Sequence, residues 1–117
     1  MKTKIDVIYC HFSSELQRED SIKDQERRCR EGLDRMNIPH SHFRLLKDEA
    51  ISGTSERRQG FQQIKSLIAA GKLGLLVVAE QSRLTRGDNA KALIQNIVFQ
   101  GGRFISITEG IDTDRKG

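Results

Sequence analysis

The sequence predicts an α/β domain built on an open, mostly parallel sheet with helices on both faces. Strand-like and helix-like periodicities alternate along the chain in the order βαβαβαβ, which is the pattern of crossover units. The run Gly74-Leu75-Leu76-Val77-Val78-Ala79 is apolar without alternation, as a central parallel strand covered on both faces requires. Near the N-terminus, the apolar run from Lys4 to Phe12 stops abruptly at Ser13-Ser14. At 117 residues the chain holds one domain with room for a real core.

Taken in order, the first strand runs from Lys4 to Phe12 and ends in a loop bearing hydroxyls. Ser21-Ile22-Lys23-Asp24 has the form of a capping box, and Ile22, Cys29, Leu33 and Met36 recur at helical spacing, so a first helix is expected over 21–36. Gln25 falls near its core-facing side, beside the Ser13 loop, where it either serves a site or merely caps the turn. Asn37, Ile38 and Pro39 end that helix, and 43–47 is a short second strand followed by the polar loop Asp48 to Ser55. Phe61, Ile64, Leu67 and Ile68 mark a second helix stopped by Gly71. After the strand at 74–79 comes the loop Gln81 to Arg86, then a third helix marked by Ala90, Leu93, Ile94, Ile97 and Val98 and stopped by Gly101-Gly102. Phe104-Ile105-Ser106-Ile107 closes the sheet and ends at Thr108-Glu109. The connections are right-handed crossovers.

Twenty Lys and Arg against 16 Asp and Glu leave a net charge of +4, a mild positive field suited to a polyanionic partner. Five Phe, one Tyr and no Trp argue against a surface of rings for stacking single-stranded bases. Cys10 and Cys29 lack paired metal spacing and sit inside apolar patterns, so they read as buried, reduced thiols in a cytoplasmic protein. His40 and His42 share a strand face but have no third ligand nearby, which leaves no metal site. No apolar run is long enough to span a bilayer.

In a sheet of this kind, ligands bind outside the carboxyl ends of the strands. Ser13, the 48–55 loop, Arg83 with Arg86, and Glu109 all emerge at that rim. Two arginines three residues apart form a compact fork for phosphate oxygens, because guanidinium is permanently charged and donates in a planar geometry. The same spacing also lets them pair with Glu80 and Asp88. A hydroxyl facing two guanidiniums suggests phosphoryl transfer through serine. Ser13 read alone is ordinary turn chemistry.

Six segments in register then become specific. Tyr9 to Ser13, Ser21 to Gln25, Asp48 to Gly53, Arg58 to Phe61, Ser82 to Arg86 and Glu109 to Thr113 fall in the order seen in the resolvase/invertase catalytic domain of serine recombinases. The chain resembles that family over nearly its whole length, and its Ser-x-x-x-Gln spacing is nearer the large serine recombinases. The resemblance implies site-specific DNA recombination: Ser13 attacks a DNA phosphodiester, forms a 5′-phosphoserine link, and is displaced on religation. Neither ATP nor metal is needed, so no cofactor is expected. Arg83 and Arg86 would bind the scissile phosphate, Arg58 matches a further phosphate-binding arginine, and Gln25 matches the active-site glutamine.

The family has arginine where this chain has His11, aspartate where it has Ser82, and proline where it has Gln59. His11 replaces a permanent charge with one that depends on pH, and Ser82 removes a carboxylate that would orient the arginines. A catalytically impaired domain acting as scaffold or regulator is therefore the alternative to an active recombinase. His11 stands two residues before Ser13, so its side chain is expected to reach the phosphate site, where the anion would raise its pKa above roughly 6.5. By the same resemblance, residues 1–117 form the catalytic domain of a longer chain that continues into a dimerisation helix and DNA-binding regions. The intact protein is expected to act on double-stranded DNA as a homodimer and synaptic tetramer. The isolated domain is expected to be monomeric.

Overall fold

The computed structural model describes residues 4–12, 19–49, 59–84 and 88–114. Among these residues five strands form one sheet: β1 (Ile5–His11), β2 (Arg44–Asp48), β3 (Leu73–Val78), β4 (Arg103–Ser106) and β5 (Ile111–Asp112). Their order is β2-β1-β3-β4-β5, parallel except for the β4–β5 pair. Among the described residues four helices connect them: α1 (Glu19–Arg35), α2 (Gln59–Ala69), α3 (Gln81–Leu84) and α4 (Asp88–Phe99).

The pleat of β1 explains the two cores. Ile8, Cys10 and Phe12 point to the face covered by Ile22, Cys29 and Leu33 of α1. Val7 and Tyr9 point to the other face, where Ile64 of α2, Leu84 of α3 and Ile97 of α4 pack. Leu75, Val77 and Ala79 join the first cluster while Leu76 and Val78 join the second, so β3 is buried on both faces. The unalternating sequence reflects that position. None of the described helices is long and apolar enough to cross a membrane.

Helix α1 starts at Glu19, so Ser21 stands inside it and not at the cap expected from the sequence. Met36, expected on the apolar stripe, lies just past the helix and is 37% exposed. There the chain turns through Asn37 at φ 59°, with the Ile38 N–H donating to Leu33 O at 2.9 Å and the Asn37 N–H to Asp34 O at 3.0 Å. This pair of bonds is a Schellman closure, and it recurs at Gly71 (φ 69°) after α2 and Gly101 (φ 95°) after α4. The Lys4 ammonium donates to the carbonyls of both Gly71 and Gln100, so one cation serves the C-terminal ends of α2 and α4.

Two further differences from the sequence reading concern the β4 side. The segment read as a loop beyond β3 contains the helical turn α3, and the sheet gains a fifth strand. That strand forms because Thr113 doubles the ladder at Phe104, accepting from its N–H through Oγ1 at 2.9 Å and donating its own N–H to its carbonyl at 3.0 Å. A bidentate Arg103–Asp112 pair at 2.9 and 2.7 Å fixes the register and raises the arginine's pKa further. The two histidines of the second strand region are engaged separately. His42 Nε2 meets Asp6 at 2.7 Å, and His40 lies between Arg30 and Asp34.

Candidate active site

The carboxyl ends of β1, β2, β3 and β4 meet at one rim, and β1 ends there at His11. His11 is paired in register with Asp48, and the Phe12 N–H donates to Asp48 O, extending the β1–β2 ladder one residue further. Of the residues singled out in the sequence, His11, Gln25, Ser82 and Arg83 are described. Ser13, Arg58 and Arg86 lie outside the described residues.

Gln25, on the second turn of α1, is 1% exposed and faces the end of β1. Its Oε1 accepts from the His11 N–H at 3.0 Å and its Nε2 donates to the His11 carbonyl at 3.0 Å. The amide therefore continues the backbone pairing of β1 where no strand does. Arg83 arrives from the opposite side on α3, and its Nη1 donates to the same carbonyl at 3.3 Å. The structure thus brings Gln25 and Arg83 together on one backbone group, two residues before Ser13. Ser82, the neighbour of Arg83, is exposed.

The charge of Arg83 is felt nearby at Cys10. Burial, then the Glu26 carboxylate, pushes that thiol up to about 12, while Arg83, Arg30 and Lys47 pull it the other way. Cys29 is also held above its ordinary value, again by burial first. Both thiols are protonated at neutral pH and have no nucleophilic part in the site.

Glu80, which spacing offered as a partner for Arg83, is instead bonded to Arg28 of α1 at 3.1 Å. The second guanidinium nitrogen of Arg28 donates to Thr108 Oγ1 at the end of β4. Arg28 thereby ties the ends of β3 and β4 from the α1 side.

A second group at the rim was not singled out residue by residue in the sequence. Asp48 is 8% exposed and its carboxylate accepts from Tyr9 OH at 2.6 Å, from the Gly60 N–H at 2.8 Å and from the Phe61 N–H at 2.9 Å. It caps α2 from a distance, satisfying two of the N–H groups that a helix start leaves without intrahelical partners. Gly60 permits the approach, since a Cβ there would meet Asp48 Oδ2 at 3.1 Å and Lys47 O at 3.2 Å. Tyr9 in turn stacks against the His11 ring, with centroids 6.3 Å apart and planes at 17°. The one sequence signal for this group was that Asp48 opens a polar loop at a strand's carboxyl end.

Chemically, the described rim offers a permanently charged donor fixed beside a strand end, within a framework of buried polar bonds. That suits binding and orienting an anion.

The resolvase N-terminal domain family matches the chain over residues 7–117. Among solved structures, a resolvase family site-specific recombinase from Streptococcus pneumoniae is similar at 25% identity and a TM-score of 0.76, covering 97% of this chain and 78% of that one. The N-terminal catalytic domain of TP901-1 integrase is similar at 23% identity and a TM-score of 0.70, covering 96% and 83%. The C-terminal catalytic domain of ISC1926 TnpA, an IS607-like serine recombinase, gives 22% identity and a TM-score of 0.69, covering 88% and 69%. No curated protein sequence matches the chain.

Proposed function

The chain belongs to the resolvase N-terminal domain family, and from that premise we propose that it carries out site-specific DNA recombination through a covalent serine intermediate. Ser13 Oγ attacks the scissile phosphorus of double-stranded DNA. The Oγ–P bond forms as the P–O3′ bond breaks, serine loses its proton, and the 3′ oxygen gains one. The product is a 5′-phosphoserine link and a free 3′-hydroxyl, and attack by an exchanged 3′-hydroxyl reverses the step. The link conserves the energy of the phosphodiester bond, so the transfer needs no ATP, and the guanidiniums supply the positive charge at the phosphate.

The observation that carries this reading is the Arg83 guanidinium held on the His11 carbonyl, two residues before Ser13. A donor fixed there neutralises charge developing on a phosphate without having to be reorganised during the reaction. In this reading Arg86 and Arg58 complete the phosphate site, and His11 contributes a titratable cation. Residues 1–117 act as the catalytic domain of a longer cytoplasmic protein that works as a homodimer and synaptic tetramer.

A second reading, a scaffold or regulator with impaired chemistry, is favoured by His11 and Ser82, which stand where the family carries arginine and aspartate. Adduct trapping separates the two. Full-length protein is incubated with supercoiled plasmid carrying the DNA that flanks its gene, then denatured and analysed for protein covalently attached to 5′ ends. The recombinase reading expects an adduct that disappears in Ser13→Ala and falls sharply in Arg83→Ala. DNA binding without any adduct supports the scaffold.

A further inference from the structure

We propose that Glu109 is a positioning residue for Arg83, an assignment that rests on the reading of Arg83 as the phosphate-binding arginine. Arg83 sits on α3, described over Gln81–Leu84. The first turn of a helix does not hold its own geometry, because nucleation costs more than that turn's hydrogen bonds return and its N–H groups lack intrahelical partners. Its fixation comes from outside.

Glu109 supplies it. The Gln81 N–H, at the first position of α3, donates to the Glu109 carboxylate at 3.1 Å to Oε1 and 3.4 Å to Oε2. The hydroxyl of Ser106, a buried polar residue at the end of β4, donates to the same Oε1. The carboxylate is thus anchored to β4 and holds an N–H group that has no helical partner upstream. Backbone bonds from Ile107 to Val78 and from Thr108 to Ala79 zip the same two strand ends together. The Arg83 N–H closes the turn on Glu80 O at 3.0 Å.

Arg83 is therefore held at both ends: its backbone through Glu109 and β4, its guanidinium through the His11 carbonyl and β1. The carboxylate that reaches this turn is that of Glu109. Releasing it leaves the strands intact and lets the Arg83 turn wander, which costs alignment more than folding.

The test compares Glu109→Ala and Glu109→Gln with the wild-type protein on the flanking-DNA plasmid, together with hydrogen exchange at the Gln81 amide. Glu109→Ala is expected to slow covalent adduct formation about tenfold, the scale of losing one charge-assisted hydrogen bond. The DNA concentration giving half-maximal rate stays the same, and Gln81 exchange accelerates. Glu109→Gln keeps an acceptor at Oε1 and restores most of the rate. An unchanged rate or unchanged Gln81 exchange in the alanine variant overturns the assignment. So does a loss explained by a lowered unfolding midpoint, with half-maximal DNA concentration rising in parallel. If wild-type protein binds the DNA but forms no adduct, the recombinase reading fails instead. Glu109 is then judged by Gln81 exchange and by the line width of the Arg83 guanidinium resonance, which must broaden or shift in Glu109→Ala.

Discussion

The side-chain amide of Gln25 spans both backbone groups of His11, accepting from the N–H and donating to the carbonyl at 3.0 Å each. It therefore holds the strand end two residues before Ser13 in the sequence. Gln25→Ala removes both bonds and leaves a gap in a buried position, an expected loss of about 2–4 kcal/mol in unfolding free energy. Gln25→Glu keeps the acceptor but sets an oxygen against the His11 carbonyl, and is expected to be destabilised as well. Urea unfolding and exchange at the His11 amide check this. A Gln25→Ala variant as stable as the wild type would refute it.

Tyr9 and Asp48 couple β1 to the start of α2 through a 2.6 Å hydrogen bond between buried groups. Tyr9→Phe is expected to cost about 1–2 kcal/mol, and Asp48→Ala, which also uncaps Gly60 and Phe61, about 3 kcal/mol or more. In a double-mutant cycle the combined loss should fall short of the sum by about 1 kcal/mol. Strict additivity in the measured unfolding energies would show that the bond contributes nothing.

Local patterns made much of this fold legible. Asn37, Gly71 and Gly101 signalled helix ends because each closure needs a residue at positive φ, and the apolar run of β3 signalled burial on both faces. What escaped was non-local. Strand β5 has two residues and no period of its own, and exists through the pairing of Thr113 with Phe104. Asp48 caps a helix 12 residues away, and Arg28 takes Glu80 from 52 residues away, contacts that spacing along the chain does not encode. At the rim, Gln25 and Arg83 were nameable by residue type and position, but their shared partner is a backbone carbonyl, which carries no sequence signature.

The cysteines set an alkaline limit on stability. Burial raises the Cys10 thiol from 9.0 to about 12, whereas the unfolded chain ionises near the lower value. Between the two, the native state holds a proton that the unfolded state has lost, so stability is fully present below about pH 9 and falls as pH rises. The slope is about 1.4 kcal/mol per pH unit for each such thiol, and Cys29 adds to it in the same direction. Urea melts at pH 8 and pH 10 should show the fall. A Cys10→Ala, Cys29→Ala variant, less stable at pH 8, should show a shallower one, and equal slopes would contradict the assignment.

The last prediction concerns His11, whose carbonyl is shared by Gln25 and Arg83 and whose ring stacks on Tyr9. In the proposed reaction its imidazolium faces a phosphate, and the opposite charge favours the protonated form. Its contribution to phosphate affinity is then present at low pH and fades as pH rises through the raised pKa. Arginine stays charged across the range and donates from a planar fork. His11→Arg is therefore expected to increase adduct formation near and above neutral pH and to flatten the pH profile, with little change in acid. Because Gln25 bonds the backbone N–H and carbonyl of residue 11, which arginine also has, the substitution leaves the strand end in place. Adduct rates measured from acid to alkaline pH in both proteins decide it: parallel profiles would mean that the His11 ring takes no part in holding the phosphate.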